Sequence, residues 1–79
     1  MRVEINLYAT LARYLTAQDK NTGGAIDISD GATVGDVLQQ LNVPAEQVKL
    51  IFVDGMHGGR ETILKDGSRL GVFPPVGGG

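Results

Sequence analysis

Only one stretch of this 79-residue chain, Thr33 to Leu41, carries both the spacing of an amphipathic helix and its own start signal. Val34, Val37, Leu38 and Leu41 fall at i, i+3, i+4 and i+7, which places them on one helical face. Thr33 is positioned to cap the first turn, and Asp36 to return the bond or to favour the positive end of the helix. Pro44 is expected to stop the segment. Everything else must pack around this one helix.

The remaining segments read mainly as strands. Val3, Ile5 and Leu7 alternate with Arg2, Glu4 and Asn6, a period of two that marks a strand buried on one face, and Tyr8 continues the outward row. Leu11, Ala12, Tyr14 and Leu15 have helical spacing and predict a short helix between Ala9 and Ala17. After a turn at Asn21 to Gly24, Ile26 and Ile28 flanking Asp27 predict a second short strand. Leu50 to Asp54 is a compact apolar strand ending at Asp54-Gly55. A loop through Gly58-Gly59 then leads to Thr62-Ile63-Leu64. Lys65-Asp66-Gly67 turns the chain into a last strand, Arg69 to Phe73, with Leu70 and Val72 facing one way and Gly71 and Phe73 the other. The order predicts an α+β roll: four or five strands on one main helix, with the second sheet face open to water.

Size and composition narrow the function. A chain this short supports one core and leaves little room for an internal ligand cavity. The formal charge is −2 and the cations are scattered from Arg2 to Arg69, so a nucleic-acid partner is not expected. There is no cysteine, which excludes disulfides, thiolate metal sites and a cysteine nucleophile or persulfide on this chain. No segment has the pattern of a signal peptide or a membrane span, so a cytoplasmic protein without membrane contact is the expectation.

The sequence closes on Phe73-Pro74-Pro75-Val76-Gly77-Gly78-Gly79. Glycine fills roughly 7% of positions on average, so three in a row there arise by chance in only about three chains in ten thousand. Pro74 and Pro75 offer no backbone donor and must end the sheet ladder, sending the chain out of the fold. Residues 1–75 then form the folded domain and 76–79 a flexible tail. Three glycines without Cβ atoms can thread a slot too narrow for side chains and deliver the carboxylate of Gly79 to a reacting atom. That carboxylate is ionised near neutral pH and inert until an oxygen becomes a good leaving group. Adenylation by ATP is the usual activation, and the chain has no Gly-rich phosphate loop with its Lys and Ser or Thr, so the ATP belongs to a partner enzyme.

Internal candidates are weaker. Gly55-Met56-His57-Gly58-Gly59-Arg60 lacks the phosphate-loop spacing, and turn chemistry explains its glycines. His57 is the only histidine and has no accompanying nucleophile motif, which places it in a loop at the rim of a partner-binding surface. If the first and last strands are neighbours, Tyr8 and Phe73 meet on the open face at the root of the tail. Two readings of that pair stand: anchors for docking, or edge residues covering a small core.

The segment Leu64-Lys-Asp-Gly-Ser-Arg-Leu-Gly-Val-Phe-Pro-Pro-Val-Gly-Gly-Gly79 resembles the ending of the small subunit of molybdopterin synthase, a MoaD-type sulfur carrier. Asn6-Leu-Tyr-Ala-Thr-Leu-Ala-Arg-Tyr-Leu15 resembles that family's first strand and following helix. The resemblance implies a β-grasp (ubiquitin-like) roll, a mixed sheet of four to five strands on one main helix plus short helices. It implies that an E1-like enzyme adenylates Gly79, that sulfur from a persulfide donor replaces AMP, and that the thiocarboxylate gives its sulfur to a synthase partner. In the molybdopterin branch that partner is the large synthase subunit. No cofactor is expected on the chain itself, which acts as a protein co-substrate rather than an enzyme. Carried over residue by residue, Gly79 bears the thiocarboxylate, Val76, Gly77 and Gly78 thread the partner's channel, and Phe73, Pro74, Pro75, Tyr8 and His57 belong to the docking surface.

The related thiamine carrier ThiS shares the terminus but generally lacks Pro-Pro, which favours the MoaD-like branch. This sequence departs from the family in its third glycine, Gly77, in the glycine-rich loop from Asp54 to Glu61, and in Ser68-Arg69, which replaces an acidic pair. Sulfur transfer toward thiamine, cysteine or a tungsten-pterin remains open, as do a ubiquitin-like modifier and a plain interaction domain.

Overall fold

The computed structural model describes residues 1–15 and 23–75; the expectations for 16–17, 21–22 and 76–79 lie outside them. Five strands form one mixed sheet: β1 (Arg2–Leu7), β2 (Ala25–Asp27), β3 (Leu50–Val53), β4 (Met56–His57) and β5 (Arg69–Phe73), in spatial order β2-β1-β5-β3-β4. β1 and β5, the first and last in sequence, are neighbours at the centre and run parallel, with Glu4 opposite Arg69, Asn6 opposite Gly71 and Leu7 opposite Val72. The other pairs are antiparallel.

The period of two in β1 and β5 sends Val3, Ile5, Leu7, Leu70 and Val72 into one buried cluster with Val34, Val37 and Leu38 of α1 (Val34–Gln40), the one α-helix among the described residues. Each such aliphatic side chain contributes roughly 1.5–3 kcal/mol on full burial, so this shared cluster is what holds α1 to the sheet. The other sheet face has no helix over it among the described residues. No helix among them is long and apolar enough to cross a membrane.

Both ends of α1 are closed by identifiable bonds. Thr33 Oγ1 accepts from the Asp36 N–H at 3.2 Å and the Asp36 carboxylate accepts from the Thr33 N–H at 2.9 Å, the capping box expected from the sequence. The next two donors, Val34 and Gly35 N–H, reach the carbonyls of Thr62 and Arg60 at 2.9 and 2.8 Å. At the far end Asn42 takes a left-handed conformation (φ 63), while Val43 N–H bonds to Leu38 O and Asn42 N–H to Gln39 O. This is the Schellman arrangement. The helix therefore stops at Asn42, two residues before the proline expected to end it.

The short helix expected after Tyr8 is present as a 3-10 helix over Ala9–Tyr14, entered through a left-handed Ala9 (φ 52), whereas other elements differ from expectation. β2 is shifted one residue toward the N-terminus, to Ala25–Asp27, and Ile28 exchanges backbone bonds with Met1. Asp54 (φ 53) and Gly55 (φ 82) form a two-residue hairpin turn with both φ positive, so Met56–His57 pairs with β3 where a loop was expected. Thr62 to Leu64 makes only an isolated bridge, Thr33 to Ile63. Two carbonyls of the segment from Arg60 to Thr62 are engaged by the start of α1, which holds it against the helix rather than in the sheet.

Candidate functional site

The open sheet face is built by the outward members of the same alternation that fills the core. From β1 come Glu4 and Asn6, then Tyr8; from β5, Arg69, Gly71 and Phe73; from β3, Leu50 and Phe52; from β4, His57. Tyr8 N–H donates to Val72 O at 3.1 Å, extending the β1–β5 ladder by one step and setting Tyr8 beside Phe73. Their rings stack with centroids 4.3 Å apart and planes 5° from parallel. Phe52 meets Phe73 edge-on at 5.9 Å, and His57 meets Phe52 edge-on at 5.7 Å. A continuous aromatic strip therefore crosses four strands, and Tyr8 within it is 45% exposed.

Gly71 lies beneath the strip and supplies no side chain. A Cβ at that position would stand 3.5 Å from Tyr8 Cε2 and 3.9 Å from Phe73 Cε2, ordinary contact distances, so its absence leaves an open groove. The groove holds about 570 Å³ and is walled by Tyr8, Phe73, Phe52, Asn6, Glu4 and Arg69. At its far end Glu4 Oε2 accepts from Asn6 Nδ2 at 3.1 Å and pairs with Arg69 Nε at 3.4 Å. Ion pairs this exposed contribute at most about 1 kcal/mol, so this one orients groups more than it holds the fold.

The last β5 ladder bond runs from Lys49 N–H to Phe73 O at 2.8 Å. Pro74, half-buried, and Pro75, exposed, follow directly, so the chain leaves the sheet beside the Tyr8–Phe73 stack. The structure thus brings Tyr8, Phe73 and His57 to one face, with His57 on a strand rather than in a loop and Pro74-Pro75 following directly from Phe73. Val76, Gly77, Gly78 and Gly79 lie outside the described residues.

Sequence reasoning missed Phe52 and Leu50. Leu50-Ile-Phe-Val53 is apolar throughout, so its alternation is hidden; the Asp54-Gly55 turn is the signal that fixes its register and sends Leu50 and Phe52 outward. Ser68 does not reach the open face either. It is buried, its Oγ accepting from Lys65 N–H at 2.9 Å, so only Arg69 of the departing pair changes the charge there. At Gly59 the Glu61 carboxylate lies close, an added Cβ standing 2.7 Å from its Oε1, and a negative charge there disfavours a phosphate. Among the described residues no group of three His, Asp or Glu could hold a metal ion.

A mixed sheet with parallel central strands, curled on one capped helix and open on its other face, defines a ubiquitin-like β-grasp protein. The chain belongs to the Mut7-C ubiquitin family, whose model matches residues 1–77. No curated protein matches it by sequence. Among solved structures it is similar to SAMP1 from Haloferax volcanii, with a TM-score of 0.70, 23% identity and complete coverage of both chains. It is similar to a putative molybdopterin converting factor subunit 1 from Pyrococcus furiosus (TM-score 0.65, 24% identity, 96% of this chain and 99% of that one). It is also similar to the thiamine biosynthesis protein ThiS from Geobacter metallireducens (TM-score 0.64, 23% identity, all of both chains). At these identities the likeness establishes the fold, and the β-grasp roll expected from the resemblance is borne out.

Proposed function

We propose that this protein is a sulfur carrier of the ubiquitin-like class, with Gly79 presenting its carboxylate on the glycine run to partner enzymes. The observation that carries the reading is the position of the aromatic strip at the root of that run. A partner gripping Tyr8, Phe73 and Phe52 holds Pro74-Pro75 pointing toward its own active site, and docking on the face offsets the roughly 1–2 kcal/mol lost in ordering each glycine. An E1-like enzyme would convert the carboxylate and ATP to an acyl adenylate and pyrophosphate. The terminal sulfur of a persulfide would displace AMP, and a second thiol would release the thiocarboxylate, leaving a disulfide on the donor. The Phe-Pro-Pro-Val-Gly-Gly ending favours sulfur delivery to the large subunit of a molybdopterin synthase over delivery toward thiamine, cysteine or a tungsten-pterin.

The experiment is an intact-mass measurement after incubation with a cognate E1-like enzyme, ATP and a persulfide source. The expected result is exchange of one oxygen for sulfur at a C-terminus that reads as Gly79. An unchanged mass with an activator proven competent on ATP overturns the reading. The likeness to SAMP1, a small archaeal modifier protein, supports a second reading in which the same activated carboxyl joins lysine amines. Gly-Gly remnants on lysines in digested cell extracts decide for that alternative.

A further inference from the structure

The groove over Gly71 is open and has an ion pair at its end. Asn6 and Phe52 stand opposite Gly71 on the two neighbouring strands, and the Tyr8–Phe73 stack closes the third side. Glu4 already has two donors on Oε2, whereas Arg69 engages it only through Nε. The Nη edge of Arg69 makes no other ion pair or side-chain hydrogen bond among the described residues, and the side chain is 72% exposed. Glu4 is 39% exposed, so the more accessible charge of the groove is the Arg69 guanidinium. A cationic side chain would find the aromatic walls but also Arg69, with Glu4 the less exposed of the pair and engaged through Oε2.

We propose that the open face takes an extended segment of its partner that carries an aliphatic residue and, two positions along, a carboxylate. The aliphatic side chain sits over Gly71 and the carboxylate pairs with the free edge of Arg69, bidentate geometry being what a guanidinium fork offers. Gly71 and Arg69 are two residues apart on β5, roughly 7 Å, and side chains at i and i+2 of an extended segment repeat at that spacing on one side. The inference rests on the docking reading of this face and names the chemistry that docks.

The test uses the full chain, isotope-labelled, without any activating enzyme, and two blocked peptides, acetyl-Ser-Leu-Thr-Glu-Ser-amide and its counterpart with Lys for Glu. Titration at low salt should move the amide signals of Gly71 and Arg69 and the ring signals of Tyr8 and Phe52. The Glu peptide should bind about fivefold more tightly, the worth of one exposed charge pair. Arg69→Gln should erase that preference, and Gly71→Leu, which places a side chain where the peptide's aliphatic residue would sit, should abolish both interactions. Equal or reversed preference in the unmodified protein overturns the proposal, as does no binding of either peptide. So do shifts confined to the exposed apolar pair Met56 and Ile63, which borders a separate groove on the other side of β4. The sulfur-carrier reading fails or survives separately, on the mass of the activated C-terminus.

Discussion

The ring of Tyr8 stacks on that of Phe73 at 4.3 Å because Leu7 and Val72 are register partners in a parallel pair, so that the residue after each falls on the open face. The contact joins the start of the domain to the point where the chain leaves it. Replacing Phe73 with Ala removes the middle of the aromatic strip but none of the core, which Leu70 and Val72 fill from the same strand. Phe73 is half-buried, so about 1–2 kcal/mol of stability should be lost, less than the roughly 3–5 typical of a buried Phe. Thermal unfolding should show a midpoint lower by about 5–15 °C with the cooperative transition kept. Affinity for the activating enzyme should fall at least about tenfold, as for an aromatic anchor. A variant that does not fold would reassign Phe73 to the core, and unchanged affinity would remove the open face from docking.

Two glycines with nearly the same backbone angle should respond very differently to alanine. Gly24 (φ +85) sits so close to β1 that an added Cβ would run into the Ile5 carbonyl oxygen, and its own carbonyl accepts the Ile5 N–H at 2.7 Å. Gly31 (φ +81) has open space around the same position. Gly31→Ala should cost the left-handed strain of about 1–2 kcal/mol less the roughly 0.5–1 kcal/mol recovered from unfolded-chain entropy, a net loss of about 0.5 kcal/mol. Gly24→Ala should cost at least about 1 kcal/mol more, because β1 or the turn must also move. Denaturant titration of both variants gives the comparison, and equal losses would mean that the Gly24–Ile5 approach is looser than described.

The capping box can be tested in the same way. Thr33→Ala orphans the Asp36 N–H, while Val34 and Gly35 N–H keep the carbonyls of Thr62 and Arg60. The expected loss is about 1 kcal/mol, or about 4–8 °C in the unfolding midpoint. Thr33→Ser should restore most of it. A loss well above about 2 kcal/mol would show that the segment from Arg60 to Thr62 detaches together with the cap.

What the sequence made legible follows from where local chemistry decides. The capping box, the outward row of β1 and the meeting of Tyr8 with Phe73 depend on short-range patterns and on one topological assumption, and each stands in the structure. Phe52 was hidden because a uniformly apolar strand carries no face label of its own. The end of α1 at Asn42 and the retention of Arg60 to Thr62 by the helix start depend on which backbone donors find acceptors across the fold, and side-chain pattern does not report that. Ser68 stands where the resembled family has an acidic residue, yet its hydroxyl is spent on the turn's own backbone.

Ala9 offers the last test, since it holds a left-handed conformation (φ 52) without a side chain suited to it. Asn42 and Asp54 share that region, but they belong to residue types that tolerate it. The turn at Ala9 carries the chain from Tyr8 into the 3-10 segment, where Leu11 enters the core and its N–H bonds to Tyr8 O at 3.0 Å. The strain of about 1–2 kcal/mol at Ala9 exceeds the roughly 0.5–1 kcal/mol that glycine adds through unfolded-chain entropy. Ala9→Gly should therefore raise stability by about 0.5 kcal/mol, a gain of about 2–4 °C. Ala9→Val should lower it by more than that gain, because a β-branched residue is disfavoured further at positive φ. Opposite signs in thermal unfolding support the left-handed entry to the segment behind the docking face. Destabilisation by both variants would mean that Ala9 occupies an ordinary backbone conformation.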